Sequence, residues 1–148
     1  MEVIDTNRKA KYEYEFLEQF TAGLQLFGTE IKSIRNKDVS IAEGYCTFIN
    51  GELFILNMHI AHYEQGTYNN HEPKRERKLL LKKQELKKLN GKLKDKGLTI
   101  IPTRLFISDK GHAKLNIALA KGKKIHDKRD GIKDKDIQRD VDRALNSR

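Results

Sequence analysis

Polar and apolar positions change period along this chain, and the period says which element each segment builds. Tyr12, Tyr14 and Phe16 alternate with Glu13 and Glu15, which predicts a strand. Thr21-Ala22-Gly23 is expected to turn the chain, with Leu24, Leu26 and Phe27 beginning a second strand. Gly28-Thr29-Glu30 then predicts the opening of a short helix, with Thr29 as N-cap and Ile31 and Ile34 on one face.

Asn50-Gly51 stands between two β-prone runs, 45–49 and 53–56. Both central residues of a tight hairpin turn need positive φ, so this pair predicts a hairpin, its second strand running on through Met58 and Ile60. Residues 64–73 are polar and form a long loop, and residues 77–81 read as a strand or the first turn of a helix. Leu86, Leu89 and Leu93 share one helical face, so 82–96 is an amphipathic helix with lysines outward and Gly97 ending it. Leu98 to Ile101 starts another strand, carried on by Leu105, Phe106 and Ile107. Residues 108–111 turn it, and 113–120 return with Leu115, Ile117 and Leu119 on one face.

About six short strands with two inserted helices give an α+β class, mainly β. A small antiparallel barrel is the economical way to remove open edges at this size. The expected division is a β-barrel over 1–120 and a basic C-terminal tail over 121–148. In the tail, Ile137, Val141 and Leu145 make one thin helical stripe. Asp136 with Arg139, and Asp140 with Arg143, can pair along it for a few tenths of a kcal/mol each. So little apolar surface makes the helix conditional: disordered in the free protein, helical on a partner.

Composition sharpens this. The chain has 148 residues, enough for one domain and a tail, with 37% hydrophobic and 34% charged residues. The single cysteine, Cys46, excludes an internal disulfide and fits a reducing compartment. The N-terminus lacks a basic region followed by an apolar run, and no stretch is apolar enough to span a membrane, so a cytoplasmic protein is expected. The net charge of +9 is uneven. Residues 1–73 carry 6 Lys/Arg and 11 Asp/Glu, whereas 74–96 carry 11 and 3, and 121–148 carry 10 and 6. Two basic blocks around an acidic to neutral body point to a polyanion, foremost a nucleic acid.

Catalytic constellations are not apparent. Cys46 sits in a predicted strand, and Gly122-Lys123-Lys124 lacks the upstream glycine of a phosphate loop. His59 and His62 fall on opposite faces of a strand, against a shared metal; His112 belongs to a turn, and His71 to loop packing or a backbone bond. Glu30 can cap and balance the helix it opens or touch RNA. His126, beside Asp127, Lys128 and Arg129 in a segment with no core to join, reads on its residues as a solvated charged run, although an imidazole there can stack on an exposed base. No enzyme, cofactor or metal is expected. The alternatives are a general ribosomal or single-strand-binding barrel and, more weakly, a metal-dependent nuclease.

Five segments together resemble one family: Asn7-Arg8-Lys9-Ala10, Gly28-Thr29-Glu30-Ile31-Lys32-Ser33, Asn70-His71-Glu72-Pro73, Arg77-Lys78-Leu79-Leu80-Leu81 and the run from Gly122 to Arg129. In order and spacing, across the whole chain, they look like the SsrA-binding proteins (small protein B). The resemblance implies an oligonucleotide-binding-type barrel that binds the tRNA-like domain of transfer-messenger RNA and takes it to stalled ribosomes, with no catalysis. The barrel would stand in for the missing anticodon arm, and the tail would sense the empty mRNA channel. Implied partners are that RNA, the ribosome with its small-subunit rRNA, and elongation factor Tu, with the protein itself a monomer. Implied RNA contacts are Thr21, Ala22, Lys32, Ser33, Leu80, Lys82, Lys121, Lys123 and Lys124; implied ribosome contacts are His126, Asp127, Lys128, Arg129, Ile137 and Val141. Lys82 departs from the Asn or His of many relatives, adding a phosphate contact but no acceptor.

Overall fold

A computed structural model describes residues 1–65, 70–95 and 97–123. Among these the order is β1 (Glu2–Thr6), α1 (Ala10–Glu13), β2 (Tyr14–Leu24), α2 (Gly28–Arg35), β3 (Val39–Ser40), β4 (Tyr45–Ile49), β5 (Glu52–Leu56), β6 (His59–Ile60), β7 (Arg77–Leu80), α3 (Lys83–Lys92), β8 (Leu98–Ile107) and β9 (Ala113–Gly122). The class is the α+β, mainly β arrangement expected, with more strands than the pattern foretold, three of them long: β2, β8 and β9.

The antiparallel pairings run β8-β4-β5-β7-β2-β9 and return to β8, so six strands form a closed ring. One edge of β8 carries β9 along its whole length; the other is shared between β4, at Ile100, and β1, over Arg104 to Ile107. Ile34, Leu53, Ile55, Leu79, Ile100, Leu105, Leu115 and Ile117 are buried in one cluster inside the ring. A smaller cluster of Ala10, Ile101, Ala118 and Ala120 lies beneath α1.

The predicted hairpin is present: Asn50 has φ 52° and Gly51 φ 81°, and Tyr45↔Leu56 to Ile49↔Glu52 set the register. The strand does not run on to Ile60, because Asn57 turns left-handed at φ 60° and sends β6 to a separate pairing with β3. The turn at 108–111 also holds, with Gly111 at φ 84°.

Three other expectations are corrected. Tyr12 lies in α1, not a strand: one helical turn is what brings Ala10 into the small cluster. Thr21-Ala22-Gly23 does not turn the chain but continues β2 straight through. Ala22 enters the core there, and Gly23 lies between β9 and β7, paired to Lys114 on one side and Leu80 on the other. The strand keeps its inside and outside by a bulge between Phe16 and Glu18. Finally, α3 stops at Lys92, and Gly97, at φ 86°, belongs to the approach to β8.

β9 extends through Lys121 and Gly122, past the expected start of the tail. The helical stripe of Ile137, Val141 and Leu145 lies outside the described residues.

Candidate nucleic-acid interface

Where β7 ends, Leu80 and Leu81 lead into Lys82, the residue before α3. The Glu85 carboxylate accepts the Lys82 backbone N–H at 3.1 Å, fixing the start of that helix. Thr21 and Gly23 of β2 and Lys114 of β9 face this corner, and together they line an open groove. Asn116 and Lys82 line its extension, where Thr21 Oγ1 donates to Asn116 Oδ1 at 2.9 Å. The groove continues past Leu80 and Lys114 along Leu24, Leu26, Ile31 and His112. Leu80 is 50% exposed and gives the groove an apolar wall.

The groove's charges differ in availability. Lys78 is paired with Glu52 at 3.0 Å, and Glu85 is engaged at the helix start. Among the described residues, Lys82 and Lys114 are in no ion pair. Thr21, Leu80 and Lys82, implied as RNA contacts from far apart in sequence, thus meet here.

The other implied contacts divide. Ala22 is wholly buried, so its side chain offers nothing to RNA. Ser33 is buried on α2 and donates its hydroxyl to the Ala61 carbonyl at 2.8 Å, a bond internal to the fold. Lys32, on the same helix, is exposed, its Nζ 5.4 Å from the Tyr63 ring centroid. Lys121 is exposed and pairs in register with Glu15 and Leu98, at the other end of β2 from Gly23. Lys123 donates its N–H to the Glu13 carbonyl and its Nζ to the Lys11 carbonyl, both at 2.9 Å. Lys124, His126, Asp127, Lys128, Arg129, Ile137 and Val141 lie outside the described residues.

Glu30 takes the helix-terminus role expected of it and adds a second, the countercharge of two arginines. Its side chain is fully enclosed and accepts from Arg77 Nε at 2.5 Å, Arg75 Nη2 at 2.7 Å and the Phe27 N–H at 2.8 Å. It therefore closes the first turn of α2, while Phe27, not Thr29, occupies the N-cap position. Burial alone would raise the Glu30 pKa, but the Arg75 and Phe27 hydrogen bonds and the Arg77 charge outweigh it and hold the carboxyl below its ordinary range. Arg77 is equally enclosed; burial pulls its pKa down, Glu30 opposes that, and it also donates to the Met58 and Pro73 carbonyls at 2.7 and 3.0 Å. Arg75 and Arg77 were missed in the sequence. A signal existed for Arg77: in a strand, it shares a face with buried Leu79.

His71 does support packing. It is buried, its Nε2 lies 2.9 Å from the Ile60 carbonyl, and its Nδ1 meets the Thr29 hydroxyl at 2.8 Å. Thr29 thus ties α2 to the loop rather than capping the helix. Burial raises the Cys46 thiol pKa far out of reach of physiological pH. No group of three or more potential metal-ligating side chains exists among the described residues.

Such a surface can hold phosphates by unpaired lysines and cover bases with exposed apolar groups, which is how shaped RNA is bound. The fold and this surface define a small β-barrel of the nucleic-acid-binding class. Residues 4–147 match the family model described as SmpB protein, and the chain belongs to that family. It is 56% identical over 137 residues to an SsrA-binding protein of Christiangramia forsetii, covering 93% of this chain and 87% of that one. It is 51% identical over 146 residues to an SsrA-binding protein of Nostoc punctiforme, covering 98% and 94%. A solved chain described as "tmRNA-SmpB: a journey to the center of the bacterial ribosome" superposes with TM-score 0.69 at 45% identity, over 84% of this chain and 86% of that one.

Proposed function

We propose that this chain binds transfer-messenger RNA and delivers it to stalled ribosomes for trans-translation. It is an RNA-binding adaptor, not an enzyme. Family membership and relatives named for SsrA binding support the reading. The observation on the molecule that carries it is the groove where Thr21, Leu80, Lys82 and Lys114 converge. In this reading the groove and Lys32 hold the tRNA-like domain, and the barrel stands in for an anticodon arm. Lys121, Lys123 and Lys124 lead into a tail that reaches the ribosome through His126, Asp127, Lys128, Arg129, Ile137 and Val141. The protein acts as a cytoplasmic monomer, with elongation factor Tu in the same complex.

A competition assay tests the first part. At fixed salt, a tRNA-like RNA should displace an unstructured strand of equal length; equal affinity for the two would favour the general single-strand-binding barrel. Truncating residues 130–148 tests the division of labour. RNA binding should stay nearly intact while activity on stalled ribosomes is lost, and loss of RNA binding would refute it.

A further inference from the structure

Phe27 is an exposed aromatic that the fold holds still without needing it for burial. It is 56% exposed at the N-cap position of α2. The Arg75 guanidinium carbon lies over its ring, 4.2 Å from the centroid. Its backbone N–H is fixed by Glu30 Oε1 at 2.8 Å. Arg75 is itself anchored, donating to Glu30 through Nε at 3.3 Å and Nη2 at 2.7 Å, to the Gln25 carbonyl at 3.3 Å and to the Glu76 carbonyl at 3.1 Å.

Two consequences follow. Four of the five N–H donors of Arg75 are engaged within the protein, which fixes its plane under Phe27. Phe27, pinned at both backbone and ring, presents its remaining surface in one orientation, which lowers the entropy lost on contact. A phenyl ring held in this way, with a cation beneath it, is a surface for a flat π-system. It directly follows Leu26, which lines the extension of the groove beyond Leu80 and Lys114.

We propose that Phe27 is a stacking platform for one unpaired base of the bound RNA, with Arg75 as its positioning residue. Sequence-specific RNA contacts fall on such splayed bases, and an aromatic face accepts any of them. The inference rests on the RNA-binding reading above.

The chain contains no tryptophan, so Phe27→Trp introduces a single indole reporter. Its emission should be quenched at saturating tRNA-like RNA, with affinity retained. Phe27→Leu, which keeps apolar bulk but loses the π-face, should weaken binding about tenfold at fixed salt, with an unchanged salt slope because no phosphate contact is lost. Unchanged affinity in Phe27→Leu, or unquenched emission in Phe27→Trp, overturns the proposal. So does normal RNA affinity in Phe27→Leu with lost activity on stalled ribosomes, which would assign the ring to a protein partner. If Phe27→Leu melts lower than the parent, the quenching result decides. Failure of the unsubstituted protein to prefer tRNA-like RNA would instead sink the underlying reading.

Discussion

Arg77 and Lys82 stand in the same basic block, at the start of β7 and just beyond its end, yet they inhabit opposite environments. Arg77 is enclosed, held by Glu30 and by the Met58 and Pro73 carbonyls. Lys82 is exposed on the open groove, in no ion pair among the described residues. Charge counting treats them alike, but their physics differs. An enclosed ion pair is expensive to break and fixes shape; an exposed amine contributes little to stability and remains available to a polyanion. The Glu30 cluster therefore shapes the surface, whereas Lys82 stands open on it.

The largest effect that can break this contrast is on Glu30. Glu30→Gln leaves Arg77 buried without its countercharge and should cost about 3–5 kcal/mol in urea unfolding. RNA binding lost at unchanged stability would mean instead that Glu30 touches the RNA. Acid titration should show the same pair. The folded carboxyl is held below its ordinary value of 4.5, so its contribution is complete above that value and is lost as pH falls through the lower folded value. Urea midpoints measured downward through this range should drop in the parent and drop less in Glu30→Gln.

Lys82→Ala should do the reverse. Stability should change by less than about 0.5 kcal/mol, while RNA affinity falls and the salt slope shrinks by about one unit. A large stability loss would place Lys82 with the shape-building charges. The smallest effect belongs to Glu52→Gln, which frees Lys78 at the groove. Affinity for RNA should rise by about twofold at low salt, and the gain should vanish as salt screens it.

What could be read in the sequence was local. Asn50-Gly51 announced its hairpin because positive φ at both positions is a chemical requirement. The Leu86, Leu89 and Leu93 stripe announced α3 because one face had to be apolar. The missed features depend on partners distant along the chain. Thr21-Ala22-Gly23 has turn-like composition, but its backbone is taken up by pairing with β9, a partner nearly a hundred residues away, and at Gly23 with β7 as well. α1 is a single turn, below the length at which a helical period can be seen. For the site, Thr21, Leu80 and Lys82 came from the family resemblance, and only Leu80 lies within one of its motif strings. Which implied residues are inward, as Ala22 and Ser33 are, depended on pairings and on the Ala61 carbonyl.

The ring closure described above also dictates an order of assembly. β9 bonds to β2 along one edge and to β8 along the other, joining segments from opposite ends of the described chain. A chain made from its N-terminus has β4, β5, β7 and β8 in hand while the edge of β2 waits for Ala113–Gly122. Contacts so distant in sequence close slowly, and the waiting edges are open to other chains. The nascent protein is therefore most prone to aggregate just before β9 arrives, and a helper that shields the β2 edge in that interval would raise its yield.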